Sequence, residues 1–159
     1  VNYLSTALLV ILLLPILKSK KVTSVTHTRP PVLSIVASDL AYSAKIETKG
    51  PLLQQFDNPK TFHAFPWYAN SKLLVVFFVA KLSELVSPDD VIVNIANPGM
   101  TKGTAFFRGA SKIFVKLMAV AQFLLARTAA VGASTYLDAT LAHGKESHGS
   151  FTSEWTIMP

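Results

Sequence analysis

The chain has 159 residues, half of them apolar, with 10 Phe, no cysteine, and a formal charge of +6 from 15 Lys and Arg against nine Asp and Glu. The zero cysteine count excludes a disulfide framework, thiolate metal sites and a cysteine nucleophile, and fits a reducing, cytoplasmic compartment. Only 15 % of the residues are charged, so either much of the chain is interior or part of its cover is missing. Apart from Lys18, Lys20 and Lys21 the cations are scattered, with no basic stripe interleaved with aromatics, so nucleic acid is not an expected partner.

In chain order, residues 1–17 read as a helix ended by the polar "KSKK". A signal peptide or membrane anchor would also be apolar, but this stretch is shorter than the roughly 20 residues of a spanning helix. No basic segment precedes it, and Pro15 interrupts it. A helix buried in an α/β protein is the favoured reading, with membrane association not expected and a membrane-peripheral or membrane-associated helical protein kept as the alternative, and the initial Val suggests a start in mid-protein. "PPVLSIVAS" (30–38) is a short β-branched apolar run after two prolines, a buried strand. Residues 39–66, punctuated by Gly50, Pro51, Pro59 and Pro66, read as an irregular excursion, and 67–86 as a helix ending at "SPDD". "VIVNIA" (91–96) is a second buried strand, followed by the loop "NPGMTKG". Residues 105–126 form an unusually apolar helix, Thr128 can cap another, "AAVGASTYLDATLA", and "GSFTSEW" (149–155) reads as a last strand. This order predicts an α/β fold, about three parallel strands covered by helices on both faces. Ligands of such sheets sit outside the carboxyl ends of the strands, which singles out the loops opening at Ser38 and at "NPGMTKGT".

Tyr68 and Lys72 are four residues apart at the head of the 67–86 helix, so both project from one face. A free phenol has a pKa of about 10 and is a poor acid or base at neutral pH. A nearby ammonium favours the phenolate, which makes the pair a candidate acid and base system. A Tyr and a Lys at this spacing also occur as the plain polar head of a buried helix. Ser38, at the end of the preceding strand, comes to the same edge by the sheet rule, where its hydroxyl can hold a substrate oxygen.

With these residues in order, the sequence resembles the short-chain dehydrogenase/reductase family over nearly its whole length. "VNYLSTALLVILLLP" looks like the family's V-N-x-x-G/S helix, "VLSIVASD" like the strand ending in the catalytic serine, and "YANSKL" like the Y-x-x-S/A-K signature. "VIVNIANPGMTKGT" resembles the V-x-V-N-x-x-x-P-G-x-x-x-T segment, and "RTAAVGASTYLDATLA" with "HGSFTSEW" the late helix and last strand of the retinol dehydrogenase-like and fungal reductase branch. The resemblance implies the C-terminal portion of a Rossmann-type doubly wound sheet. It implies an oxidoreductase that interconverts a carbonyl and an alcohol with NADP or NAD, NADP slightly favoured. Tyr68 would be the acid and base. Lys72 would lower its pKa and hold the nicotinamide ribose. Ser38 would polarise the substrate oxygen, and Asn2 would hold a water of the proton relay. Pro98, Gly99 and Thr101 would border the nicotinamide, with Thr104 near the carboxamide or phosphates. Family members often dimerise through the helices that carry Asn2 and Lys72, so a homodimer is implied as well.

Two departures qualify the match. No glycine-rich T-G-x-x-x-G-x-G turn and no N-N-A-G strand occur, which points to a single incomplete domain (1–159), the C-terminal part of a longer enzyme and inactive alone. A non-enzymatic remnant, or a half that needs a partner chain, is the alternative. Ser38 and Tyr68 are also 30 residues apart, wider than in compact members. Segments 39–66 and 105–126 are therefore expected as flaps on the substrate side, suggesting a hydrophobic substrate. His27, His63, His143 and His148 show no metal spacing, and no metal is expected. No G-x-S-x-G elbow occurs. Trp67 could equally shape the pocket or pack at the helix start.

Overall fold

A computed structural model describes residues 1–19, 29–103 and 112–158. The core forms where apolar side chains of two strands meet two helices. Helix α1 (Leu4–Ser19) and helix α2 (Ala64–Leu85) pack on strands β1 (Val32–Val36) and β2 (Ile92–Asn97). Val10 and Leu14 of α1, Val75, Val79 and Leu82 of α2, and Ile35, Val93 and Ile95 of the strands make one buried cluster. Successive strand side chains alternate between faces, so Val93 and Ile95 face α1 and α2 while Asn94 faces the other side.

That other side is closed by helix α4 (Ala129–Leu137) and the π-helical turn Asp138–Ala142 that continues it. Asn94, fully buried, donates from Nδ2 to the Ala139 carbonyl at 2.7 Å and to Ser147 Oγ at 3.1 Å. Arg29, just ahead of β1, donates to the carbonyls of Leu141 at 2.7 Å and Thr140 at 3.1 Å, groups a helix end leaves unpaired. Thr128 caps α4 as expected, accepting from the Val131 N–H at 3.3 Å. Helix α3 (Lys112–Leu125) precedes α4. The helical reading of 105–126 is met from 112 onward, and its first residues lie outside the described ones.

The sheet order is β1-β2-β3-β4, with β3 at Phe151–Ser153 and β4 at Thr156–Met158. The first three strands are parallel, and β4 pairs antiparallel with β3. Among the described residues, the expected count of about three strands and the all-parallel sheet are thereby corrected to four strands and a mixed sheet. The missed hairpin turns on Glu154 and Trp155, both at positive φ (53° and 56°), in place of the Asn-Gly or Asp-Gly pair that signals such a turn. Tertiary contacts hold it: Glu154 pairs with Arg127, whose guanidinium lies 5.2 Å from the centre of the Trp155 ring. Trp155 Nε1 also donates to Ser134 Oγ at 3.2 Å.

Segment 39–63 is irregular as expected, with short 3₁₀ turns at Asp39–Ser43, Leu53–Phe56 and Pro59–Thr61, but α2 opens at Ala64, so 64–66, read as irregular from the sequence, already belong to the helix. Trp67 packs edge-on against Phe56 and Phe62 and donates from Nε1 to the Thr61 carbonyl at 3.0 Å, which decides for the packing role. His148 is structural: its Nδ1 accepts the Val93 N–H at 3.1 Å and its Nε2 donates to the Ser83 carbonyl at 3.1 Å. Among the described residues no group of three or more His, Cys, Asp or Glu could hold a metal ion, and no helix is long and apolar enough to cross a membrane.

Replacing Asn94 with Ala strips the Ala139 carbonyl of its partner in a site closed to water. The variant is expected to lose about 1–3 kcal/mol in urea-induced unfolding with an unchanged slope.

Candidate active site

The register Val32↔Ile92 through Val36↔Ala96 ends β1 and β2 at the same edge, so the loops after both strands open side by side. At the first, Ser38 is extended (φ −157°) and caps the turn Asp39–Ser43, its Oγ accepting the Leu40 N–H at 3.3 Å. The same hydroxyl donates to Asp39 Oδ1 at 3.2 Å. At the second, Asn97 Oδ1 accepts the Gly99 N–H at 3.2 Å and Asn97 Nδ2 donates to Ser153 Oγ at 3.1 Å, tying the loop to β3.

Gly99 has φ +66°, and a Cβ there would come within 3.0 Å of the Arg127 guanidinium. Arg127 grips this loop by its backbone too: its N–H donates to the Met100 carbonyl at 3.0 Å and its carbonyl accepts the Lys102 N–H at 2.8 Å. The glycine is needed because the clamp passes so close.

Between the two loops lies a largely apolar cavity of about 520 Å³. Five of the expected site residues line it: Ser38, Tyr68, Pro98, Gly99 and Thr101. Thr104 lies outside the described residues. Lys72 does not line it but stands behind Tyr68, its Nζ 5.6 Å from the centre of the phenol ring and donating to the Val36 carbonyl at 3.0 Å. Asn2 is exposed and does not line the cavity either. Its Nδ2 reaches Ser71 Oγ at 3.5 Å, one residue before Lys72.

Burial sets the electrostatics. It pushes the Tyr68 phenol above its usual range; the hydrogen bond to Ser38 pulls it down, and Asp39 and Tyr136 add to the rise. Burial also pushes the Lys72 ammonium below its usual range. In this arrangement desolvation of the phenolate leads the shift, with the Lys72 ammonium anchored on the Val36 carbonyl.

Several lining residues escaped the sequence reading. Asp39 follows Ser38 directly, and Tyr136 lies one helical turn beyond Gly132. Burial pushes the Tyr136 phenol up as well. Met118 and Gln122 contribute one wall from α3. Arg127, which clamps the Gly99 turn from outside the cavity lining, opens the family-like stretch "RTAAVGASTYLDATLA", but nothing in the sequence marked it as a clamp. His63 precedes α2 as its exposed cap residue and takes no part in the cavity.

The donor set fits the nicotinamide end of a dinucleotide: hydroxyls of Ser38, Tyr68 and Thr101 beside the positive-φ turn at Gly99, in an apolar wall. The same residues offer no glycine-rich turn for a pyrophosphate.

No protein-family model matches the chain. Curated relatives do. It is 57 % identical over 159 residues to the short chain dehydrogenase virL of Hypocrea virens, covering all of this chain and 46 % of that protein. It is 46 % identical over 164 residues to the short chain dehydrogenase/reductase mfmJ of Annulohypoxylon moriforme, again all of this chain and 46 % of the relative. The short chain dehydrogenase opdN of Penicillium oxalicum is 45 % identical over 164 residues, all of this chain and 53 % of the relative. The chain belongs to the short-chain dehydrogenase/reductase family, a family of oxidoreductases. It spans about half the length of these relatives.

Because the Ser38 hydrogen bond lowers the Tyr68 phenol, Ser38→Ala is expected to move that phenol still higher. A tyrosinate absorbance titration, referenced to Tyr68→Phe, reads the shift; an unchanged or lower midpoint would break the assigned contact.

Proposed function

We propose that the chain carries the acid and base half of an NAD(P)-dependent oxidoreductase that interconverts a carbonyl and an alcohol on a hydrophobic small molecule. One observation carries this reading: the hydrogen-bonded hydroxyls of Ser38 and Tyr68 line an apolar cavity, together with the turn at Gly99. When bound, the nicotinamide of NADP or NAD, with NADP slightly favoured, supplies or takes the hydride.

The chain's own residues do the proton work. Tyr68, its phenol raised, keeps its proton at neutral pH and donates it to a carbonyl oxygen brought within reach. Ser38 orients that oxygen. In the reverse direction Tyr68 is the base, and Lys72 behind it favours the phenolate. Asn2, next to Ser71, holds a water on the path from Lys72 to solvent. Pro98, Gly99 and Thr101 would border the nicotinamide. Leu40 and Phe65 from the 39–66 flap, with Met118 from the second flap segment, give the substrate an apolar wall.

The pyrophosphate end needs a glycine-rich turn that these 159 residues lack. Alone, the chain is therefore expected to show no carbonyl-dependent oxidation of NADPH or NADH, read as loss of absorbance at the reduced nicotinamide. With a nucleotide-binding half present, in the same chain or as a partner polypeptide, turnover is expected. There, Tyr68→Phe is expected to lower kcat by about 10²- to 10⁴-fold while cofactor affinity stays unchanged. Retained turnover in that variant removes Tyr68 from the mechanism, and turnover by the chain alone overturns the division of labour.

A further inference from the structure

Helix α3 has two sides. Met118 and Gln122 line the cavity, and about half a turn of the helix away Lys116, Val120, Phe123 and Leu124 share the opposite face. That face is open: Val120 is 60 %, Phe123 74 % and Leu124 71 % exposed. Cations border it. Lys116 is exposed on it, and the Lys102 ammonium stands 5.4 Å from the centre of the Phe123 ring. Between Asp90 and Asp138 the sequence holds no carboxylate side chain at all, while Lys102, Lys112 and Lys116 fall inside that interval.

An apolar face rimmed by cations and free of acids is complementary to an anionic lipid surface, where rings and aliphatic chains enter the acyl boundary and lysines meet headgroups. A second copy of the chain suits it poorly, since a two-fold contact sets this cation-rimmed face against an identical one, with no carboxylate of α3 to pair the lysines. The 14 described residues of the helix can lie in the interface plane. We propose that α3 docks the protein on anionic membranes, which revises the expectation of no membrane association. Docking by this helix brings the cavity wall formed by Met118 and Gln122 next to the bilayer, a source for apolar substrates.

Co-sedimentation with vesicles of phosphatidylcholine, alone or with about 30 % phosphatidylserine, tests the proposal. The protein is expected to pellet with the phosphatidylserine vesicles, less so at raised salt. The pair Phe123→Glu/Leu124→Glu and the pair Lys102→Glu/Lys116→Glu are each expected to weaken binding by more than about tenfold. Leu8→Glu/Leu12→Glu, on the exposed face of α1, is expected to leave binding unchanged. Circular dichroism melts check that each variant is folded; the lysines are exposed, so that pair decides even if the apolar pair unfolds. A folded parent that stays in the supernatant overturns the proposal, whether the face is solvated or covered by protein. Binding that survives the lysine pair, or that only the α1 pair abolishes, overturns it too.

Discussion

The parallel pairing of β1 with β2 is the constraint on which the site depends. Because Val36 stands opposite Ala96, both strands run out at one edge, and the two chain segments that leave them face each other across a gap. A shift of one residue would turn Val93 and Ile95 out of the apolar cluster and Asn94 into it. Burial of those side chains fixes the register, and the register fixes the distance between Ser38 and the turn at Gly99. Lys72 ties the arrangement to the same strand end, since its ammonium is bound to the Val36 carbonyl.

Burial also shapes the chemistry at that edge. Desolvation moves Tyr68 up and Lys72 down, so both groups are pushed toward their neutral forms. A phenol that holds its proton is suited to giving it to a carbonyl oxygen, the reductive direction. Ser38 opposes the rise by its hydrogen bond, whereas Asp39 and Tyr136 reinforce it. Burial and these neighbours act on Tyr68 together.

The elements carrying strong local signals were legible. Short β-branched runs at 32–36 and 92–97, the break before Pro88 and the Thr128 cap correspond to strand, helix end and helix start. Ser38, Tyr68 and the Pro98–Gly99 turn were legible as one edge because parallel strands bring their carboxyl ends together. What escaped was decided by contacts distant in sequence. The Glu154–Trp155 turn is held by Arg127, 27 residues before Glu154, and no local turn residue announces it. Asp39 and Tyr136 became site residues only when two helical segments converged on the cavity. The depth of burial around Tyr68 was also out of reach, since spacing shows a neighbouring cation but not what encloses the ring.

The central claim is that the edge shared by Ser38, Tyr68 and Gly99 is where the nicotinamide and the reacting oxygen meet. A crystal structure of the chain joined with a nucleotide-binding half, bound to NADP⁺ and an alcohol, tests it most directly. The account predicts the nicotinamide ring in the cavity against Pro98 and Gly99, with the alcohol oxygen within hydrogen-bond reach of both Tyr68 Oη and Ser38 Oγ. A nicotinamide seated elsewhere, or an alcohol oxygen out of reach of Tyr68, would contradict it.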